Sequence, residues 1–79
     1  MQIHSAGESA LIVYLGEQTS PEISARVQAL AAALEDSLGT DLVDLVPSYA
    51  SLLVVYDAMA TDHLSVTHRI HEAAESLES

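Results

Sequence analysis

Two histidines near the end of the chain have a spacing compatible with metal binding. His68 and His71 lie three residues apart, so a helix would place both on one face, with His63 or Glu75 available as a third ligand. The spacing does not match the His-Glu-x-x-His pattern of zinc hydrolases. Because Glu72 and Glu75 follow the two histidines by four residues, each histidine also has an ordinary partner on a solvated helix. We therefore expect no metal site in this domain.

Other groups that could act in catalysis are equally weak candidates. Asp41, Asp44 and Asp57 border two predicted strands, where they could form an acid–base pair. Aspartate is also a residue that turns and strand ends favour, and this is the better interpretation. The three glycines are isolated and the chain has no lysine, so it lacks a phosphate-binding loop. The serines at positions 9, 48 and 51 have no histidine nearby in the sequence, so we predict no catalytic or cofactor-binding residue.

The charge balance excludes whole classes of function. The 79 residues include 2 basic residues, Arg26 and Arg69, against 12 acidic ones, and the formal net charge is −10 at pH 7. Binding to nucleic acids and to anionic membranes requires clustered Lys and Arg, so we expect neither partner. An acidic surface keeps a protein in solution, and it also favours a partner with basic patches. The sequence leaves both interpretations open.

Composition indicates one small domain with an aliphatic core. The chain is 49% hydrophobic and its only aromatic residues are 3 tyrosines. There is no cysteine, so disulfides and thiolate metal sites are excluded. Residues 1–7 contain no Lys or Arg and no long apolar run, and no apolar stretch approaches the roughly 20 residues that span a bilayer. The expected location is the cytoplasm.

The strongest local signals mark a helix in the first half of the chain. Ser20 fits the N-cap, Pro21 fits the first helical position, and Gly39 fits the glycine that ends a helix. The apolar residues between them recur at steps of three or four and form one stripe. This stripe consists of Ile23, Val27, Leu30, Leu34 and Leu38.

Three further segments have the pattern of strands. Residues 9–15 (SALIVYL) are typical of a buried strand, and residues 3–6 form at most a short extended piece before it. Residues 42–46 (LVDLV) and 51–56 (SLLVVY) predict an antiparallel hairpin, because the connection between them is short and begins with Pro47. A second helix is predicted to begin at Thr61–Asp62. Its apolar residues at helical spacing are Leu64, Ile70, Ala73, Ala74 and Leu77.

The order strand, helix, strand, strand, helix predicts an α+β domain. It matches a ferredoxin-like split βαβ arrangement without its final strand, with an antiparallel sheet and two helices on one face. The other sheet face would be bare, and one of two apolar sets must lie on it because side chains alternate along a strand. These sets are Leu11, Val13 and Leu15, or Ala10, Ile12 and Tyr14. A bare apolar face marks an interface, so we expect an incomplete domain or a partner, including a homo-oligomer through this face.

The hairpin tip supplies the candidate partner-binding residues. Pro47, Ser48 and Tyr49 form the connection, and tyrosine is enriched among the anchors of protein interfaces. In the alternative interpretation the Tyr49 ring folds back and covers the edge of the core. The sequence does not choose between the two.

The chain contains three segments, residues 7–13, 23–30 and 43–57, that resemble the N-terminal domain of the KipI-type family. This family includes the B-type subunit of the ATP-dependent 5-oxoprolinase and allophanate hydrolase subunit 1. Residues 7–13 (GESALIV) are similar to the family's Gly-Asp-x-Ala-Leu-Leu-Val start, and residues 23–30 are similar to its first helix. Residues 43–57 resemble its Val-Pro-x-Tyr-x-Ser-Leu-Leu-Val-x-Tyr-Asp segment nearly position for position. Glu8 stands where the family usually has aspartate, and Ala58 stands where it often has proline.

The resemblance implies a role inside an assembly. It covers residues 1–79 as a single N-terminal domain, whereas family members continue into a cyclophilin-like domain that this sequence lacks. It implies a non-catalytic, partner-binding domain that acts with A-type and C-type partner subunits to open the 5-oxoproline ring at the expense of ATP, or that acts in allophanate hydrolysis. ATP is then implied for the full complex and not for this domain. The alternative is a regulatory module, because one branch of the family inhibits a sporulation histidine kinase.

Overall fold

The computed structural model of the chain describes residues 1–78 and contains four β-strands and two α-helices. A short 3-10 turn at Gly39–Asp41 connects the first helix to the third strand. The elements in chain order are β1 (Gln2–Ser5), β2 (Ala10–Tyr14), α1 (Pro21–Leu38), β3 (Leu42–Pro47), β4 (Ser51–Tyr56) and α2 (His63–Glu78).

The four strands form one antiparallel sheet in the order β1-β2-β4-β3. The predicted α+β class and ferredoxin-like arrangement are confirmed: β2, α1, β3, β4 and α2 follow one another as expected. The segment expected only as a short extended piece is a paired strand, β1, which lies at the outer edge beside β2. It fills the edge that the final strand of a ferredoxin-like sheet would occupy.

The outer strand β3 is irregular near its start. The pairing register between β3 and β4 shifts between Leu42 and Asp44, so Val43 is an extra, bulged residue. Its side chain is 64% exposed. Pro47 closes the other end of β3 opposite Leu52, as expected of a residue that has no N–H to donate.

Local signals set both ends of α1 as predicted. The Ser20 hydroxyl accepts a hydrogen bond from the backbone N–H of Ile23 at 3.1 Å, and Pro21 is the first helical residue. At the other end Gly39 has φ +53°, a left-handed value that glycine adopts without strain, and its N–H bonds to the carbonyl of Glu35.

The connection between β2 and α1 passes very close to the first turn of α1. A Cβ atom at Gly16 would lie 2.8 Å from Cδ1 of Ile23. A side chain at this position would therefore require the end of the Ile23 side chain to move.

Both helices bury their apolar stripes against the same face of the sheet. The α1 stripe is confirmed: Val27, Leu30, Leu34 and Leu38 are buried, and Ile23 is half-buried. Together with the inward residues of the sheet and of α2 they form one core cluster. The other members of the cluster are Leu11, Val13, Leu52, Val54, Tyr56, Val66, Ile70 and Ala73.

The inner face of α2 agrees with the predicted one at Ile70, Ala73 and Ala74 but not at Leu64 and Leu77. Val66, Ile70 and Ala73 point into the core, whereas Leu64 and Leu77 are 72% and 47% exposed. Leu64 precedes Val66 by two residues, which is a rotation of about 200° around a helix, so the two side chains lie on opposite faces. The expectation that Leu64 shares a face with Ile70 and Ala73 was therefore wrong.

Arg69 connects the two helices. Its Nη1 donates to the carbonyl oxygen of Ser37 at 2.7 Å and to the Ser37 hydroxyl at 3.3 Å. Ser37 lies in the last turn of α1, where unpaired carbonyl groups favour a cation. This contact therefore gives a carbonyl group in the last turn of α1 a hydrogen-bond donor from α2.

The observed orientation of α2 predicts that the buried Val66 contributes more to the free energy of unfolding than the larger but exposed Leu64 does. Val66→Ala should lower the free energy of unfolding by about 2 kcal/mol, because it removes two buried carbon groups and leaves a cavity. Leu64→Ala should change it by less than about 0.5 kcal/mol. Urea denaturation followed by circular dichroism measures both. An equal loss in the two variants would show that Leu64 packs inside.

The contribution of the predicted N-terminal cap of α2 to the stability of the fold should depend on pH. The carboxylate of Asp62 accepts a hydrogen bond from the backbone N–H of Ser65 at 2.8 Å, and this bond, followed by the Ser65 hydroxyl, lowers the pKa of Asp62. A lowered folded-state pKa stabilises the fold above the unfolded pKa of about 4 and loses that contribution as the pH falls through the folded value.

We therefore expect the thermal stability of the wild type and of Asp62→Asn to converge as the pH falls from about 5 to about 2. Asparagine keeps a capping oxygen without the charge, so it isolates the charge effect. Melting curves recorded across this pH range give the difference in Tm. A difference that stays constant throughout would mean that ionisation of Asp62 plays no part.

Candidate interaction site

The face of the sheet opposite the helices is built from cross-strand rows of side chains. Partners in register share a face, so one row crosses all four strands through His4, Ile12, Leu53 and Val46. The rows on either side are Gln2, Tyr14 and Ser51, and Ala10, Val55 and Asp44. We call this surface, made of these ten residues, the open face.

The centre of the open face is apolar and has no covering element. Ile12, Leu53 and Val55 are half-buried by their neighbours in the sheet, while Tyr14 and Val46 are 43% and 47% exposed. Both helices pack on the other side, and no element among residues 1–78 lies over these side chains. Of the two sets left open by the sequence, the structure places Ala10, Ile12 and Tyr14 on the bare side. A surface of this kind is typical of a protein interface.

The polar side chains of the open face lie at its borders. The rings of His4 and Tyr14 meet edge to face with centroids 5.8 Å apart, and His4 Nε2 lies 3.3 Å from Gln2 Oε1. Asp44 lies at the outer edge, where its Oδ1 accepts from the backbone N–H of Leu45 at 2.9 Å. The open face therefore has an apolar centre and a polar border, as interfaces do.

The hairpin tip lies next to the open face and next to the start of α1. Pro47 ends β3, and the N–H of Ser48 bonds to the carbonyl of Ser51 at 2.8 Å, which closes the turn. Tyr49 is 74% exposed and lies beside a shallow surface depression that includes Ser20 and Ser24. Its ring is outside the core cluster.

The candidate metal ligands on α2 are not gathered into one site. His68 Nε2 lies 2.9 Å from Glu72 Oε1, an i,i+4 pair on the exposed side of the helix. His71 and Glu75 line a different surface, the groove between α1 and α2. Within the described part of the chain, no group of three or more potential ligands is close enough to hold an ion.

Two of the three aspartates near the hairpin, Asp44 and Asp57, use their side chains to bond nearby backbone N–H groups. Asp57 Oδ1 accepts from the N–H of Met59 at 2.9 Å, and the Asp57 N–H bonds to the carbonyl of Asp41 at 2.8 Å. Asp44 bonds to the next residue along its own strand. These contacts are the turn and strand-end roles that aspartate commonly has.

A groove of about 550 Å³ between the two helices was not predicted from the sequence. Ala25 and Ala29 of α1 and Ala74 of α2 line it, and their small side chains leave the space open. In the sequence such alanines indicate only helix propensity. Arg26 and Glu75 also line the groove.

No helix in the described part of the chain has both the length and the apolar character needed to cross a bilayer.

Comparison with known proteins identifies a family model that matches the whole chain and relatives that match most of it. Residues 1–79 match the family model described as "Carboxyltransferase domain, subdomain C and D". The chain is 32% identical over 56 residues to the B-type subunit of 5-oxoprolinase from Bacillus subtilis (strain 168), a match that covers 71% of this chain and 23% of that protein.

A solved structure shares the fold. The crystal structure of the conserved uncharacterized protein PH0987 from Pyrococcus horikoshii superposes with a TM-score of 0.86 at 37% sequence identity, over 95% of this chain and 35% of that one. The chain thus spans a quarter to a third of the length of these two relatives.

Proposed function

Because this chain belongs to the family of carboxyltransferase domains, subdomain C and D, we propose that it is a partner-binding domain of an amidohydrolase complex of the 5-oxoprolinase or allophanate-hydrolase type. The similar protein from Bacillus subtilis is named as one subunit of an enzyme. In this proposal the partners are counterparts of the A-type and C-type subunits of 5-oxoprolinase, and ATP is consumed elsewhere in the complex.

The observation that carries this proposal is the apolar centre of the open face. Ile12, Leu53 and Val55 form a continuous aliphatic patch across adjacent strands, without a second layer among residues 1–78 to cover it. Covering half-exposed aliphatic side chains is favourable by roughly 25 cal/mol per Å² of apolar surface removed from water. A partner that packs a complementary surface here gains that free energy.

A supporting observation is that the side chains that could act as an acid or a base have local structural partners. Asp44 and Asp57 bond to nearby backbone N–H groups, and His68 pairs with Glu72. None of these contacts brings an acid, a base and a nucleophile together in one place. We infer that the domain contributes binding and positioning to the complex.

The hairpin tip extends the proposed contact surface. Val46 belongs to the open face, and the chain continues from it directly into Pro47, Ser48 and Tyr49. A partner that covers the open face would reach this tip at one corner. The exposed Tyr49 ring is suited to anchor it there, because tyrosine buries a large area with few rotatable bonds.

Polar substitution at the centre of the open face should weaken the complex. For Leu53→Thr we expect the Kd for the purified C-type counterpart from the same source to rise by at least about tenfold, because an aliphatic contact is replaced by a hydroxyl. Threonine suits a strand, so the fold should survive. Leu64→Thr, on the exposed side of α2, is the control and should leave the Kd unchanged.

Calorimetric titration of the purified proteins measures these constants, and circular dichroism confirms the fold of each variant. If Leu53→Thr binds both the A-type and the C-type counterparts as the wild type does, the open face is not the binding surface. Absence of binding by the wild type to both counterparts would reject the proposed function as a whole.

Loss of the hairpin anchor should have a separate effect. Tyr49→Ala should weaken binding to the same partner by about tenfold or more, with little change in the free energy of unfolding, since the ring lies outside the core. Met59→Ala is a matched control, because Met59 is also a large apolar side chain in a connecting segment and is 95% exposed. Equal affinities for the two variants would remove Tyr49 from the interface.

A further inference from the structure

The two basic residues of the chain both lie on the helical side of the molecule. Arg26 belongs to α1 and lines the groove between the helices. Arg69 belongs to α2 and is bound to Ser37 at the end of α1. Since the sequence contains no other Lys or Arg, the sheet side has none.

Two exposed carboxylates lie at opposite corners of the open face. Asp44 is exposed on the outer strand β3, in the row that contains Val55 and Ala10. Glu17 is exposed just beyond β2, at the far end of the face, where it lines a small depression together with Gln2 and Tyr14.

The two carboxylates lie diagonally across the apolar centre. The rows of Ala10 and Tyr14 are four residues apart along β2, which is about 13 Å at about 3.3 Å per residue. The strands β2 and β3 are two strand spacings apart, which adds about 10 Å in the other direction. The patch of Ile12, Leu53 and Val55 lies between these corners.

We propose that the occupant of the open face is a different protein, whose contact surface has an apolar centre and Lys or Arg side chains at the positions that meet Asp44 and Glu17. This inference rests on the proposed function and adds to it the chemistry of the partner. Complementary charges at the border of an interface steer the encounter and fix the orientation of the two surfaces.

The same charges disfavour a second copy of this chain as the occupant. In a symmetric dimer each surface meets itself, so both open faces would bring Asp44 and Glu17 to the contact and neither would bring a Lys or Arg. Like charges placed together at an interface oppose association. Nucleic acid is disfavoured for the same reason, because its phosphates would meet carboxylates.

The test compares two doubly substituted chains with the same change in charge. Asp44→Asn with Glu17→Gln neutralises the two corners, and asparagine can still accept the hydrogen bond from Leu45. Glu35→Gln with Asp36→Asn neutralises one glutamate and one aspartate that are exposed on α1. Association with the purified A-type and C-type counterparts is followed by surface plasmon resonance at salt concentrations from about 0.05 to about 0.5 M.

At the lowest salt concentration we expect the corner variant to associate about fivefold more slowly than the wild type, with a dissociation rate that changes much less. The difference should fall below about twofold at the highest salt concentration, where charges are screened over a few ångströms. The α1 variant should stay within about twofold of the wild type throughout.

The outcomes separate this inference from the proposed function. If Leu53→Thr abolishes binding but the corner and α1 variants behave alike, the open face is the interface and the inference about basic residues is wrong. If Leu53→Thr and the corner variant both bind as the wild type does, the open face is not the binding surface and this inference fails, whereas the proposed function stands because the wild type still binds a counterpart. Sedimentation equilibrium that shows a dimer of the chain alone, dissociated by Leu53→Thr, would assign the open face to a second copy and overturn the inference.

Discussion

Burial on one side of the sheet is the constraint on which the rest of this structure depends. The central strands β2 and β4 are apolar on both of their faces, but α1 and α2 together cover one face only. Leu11, Val13, Leu52 and Val54 therefore enter the core, and their neighbours in sequence must lie on the other side. The open face is a direct consequence of this alternation and does not require a separate explanation.

The part of the fold that local chemistry determines could be predicted from the sequence. Ser20, Pro21 and Gly39 act within a few residues of themselves, so the limits of α1 follow from residue type alone. The hairpin of β3 and β4 follows in the same way from a short connection and Pro47. The strand β1 could not be predicted as a paired element, because among its four residues only Ile3 packs against the core, and its pairing with β2 is set by the sheet.

The sequence predicted that one apolar face of the sheet would be bare, but not which of the two faces it would be. The alternation in β2 indicated that an apolar face would be bare, yet both of its faces are equally apolar, so only the packing of the helices decides which one is free. The grouping of Leu64 with Ile70 and Ala73 was wrong, because Val66, on the opposite side of α2 from Leu64, is the residue that enters the core. The location of both arginines on the helical side is also invisible in the sequence, since it depends on where Arg26 and Arg69 lie around the finished fold.

The irregular β3 edge hinders polymerisation of this molecule through its sheet. A regular outer strand offers a ladder of free N–H and C=O groups, to which a strand of another molecule can add, and repetition of that step builds fibrils. Here the bulge at Val43 disrupts the ladder at one end, and Pro47 provides no N–H at the other. Only Asp44, Leu45 and Val46 remain between them, which is too short a template for stable strand addition. The molecule can thus offer the surface of its sheet to a partner without offering its β3 edge to a second copy.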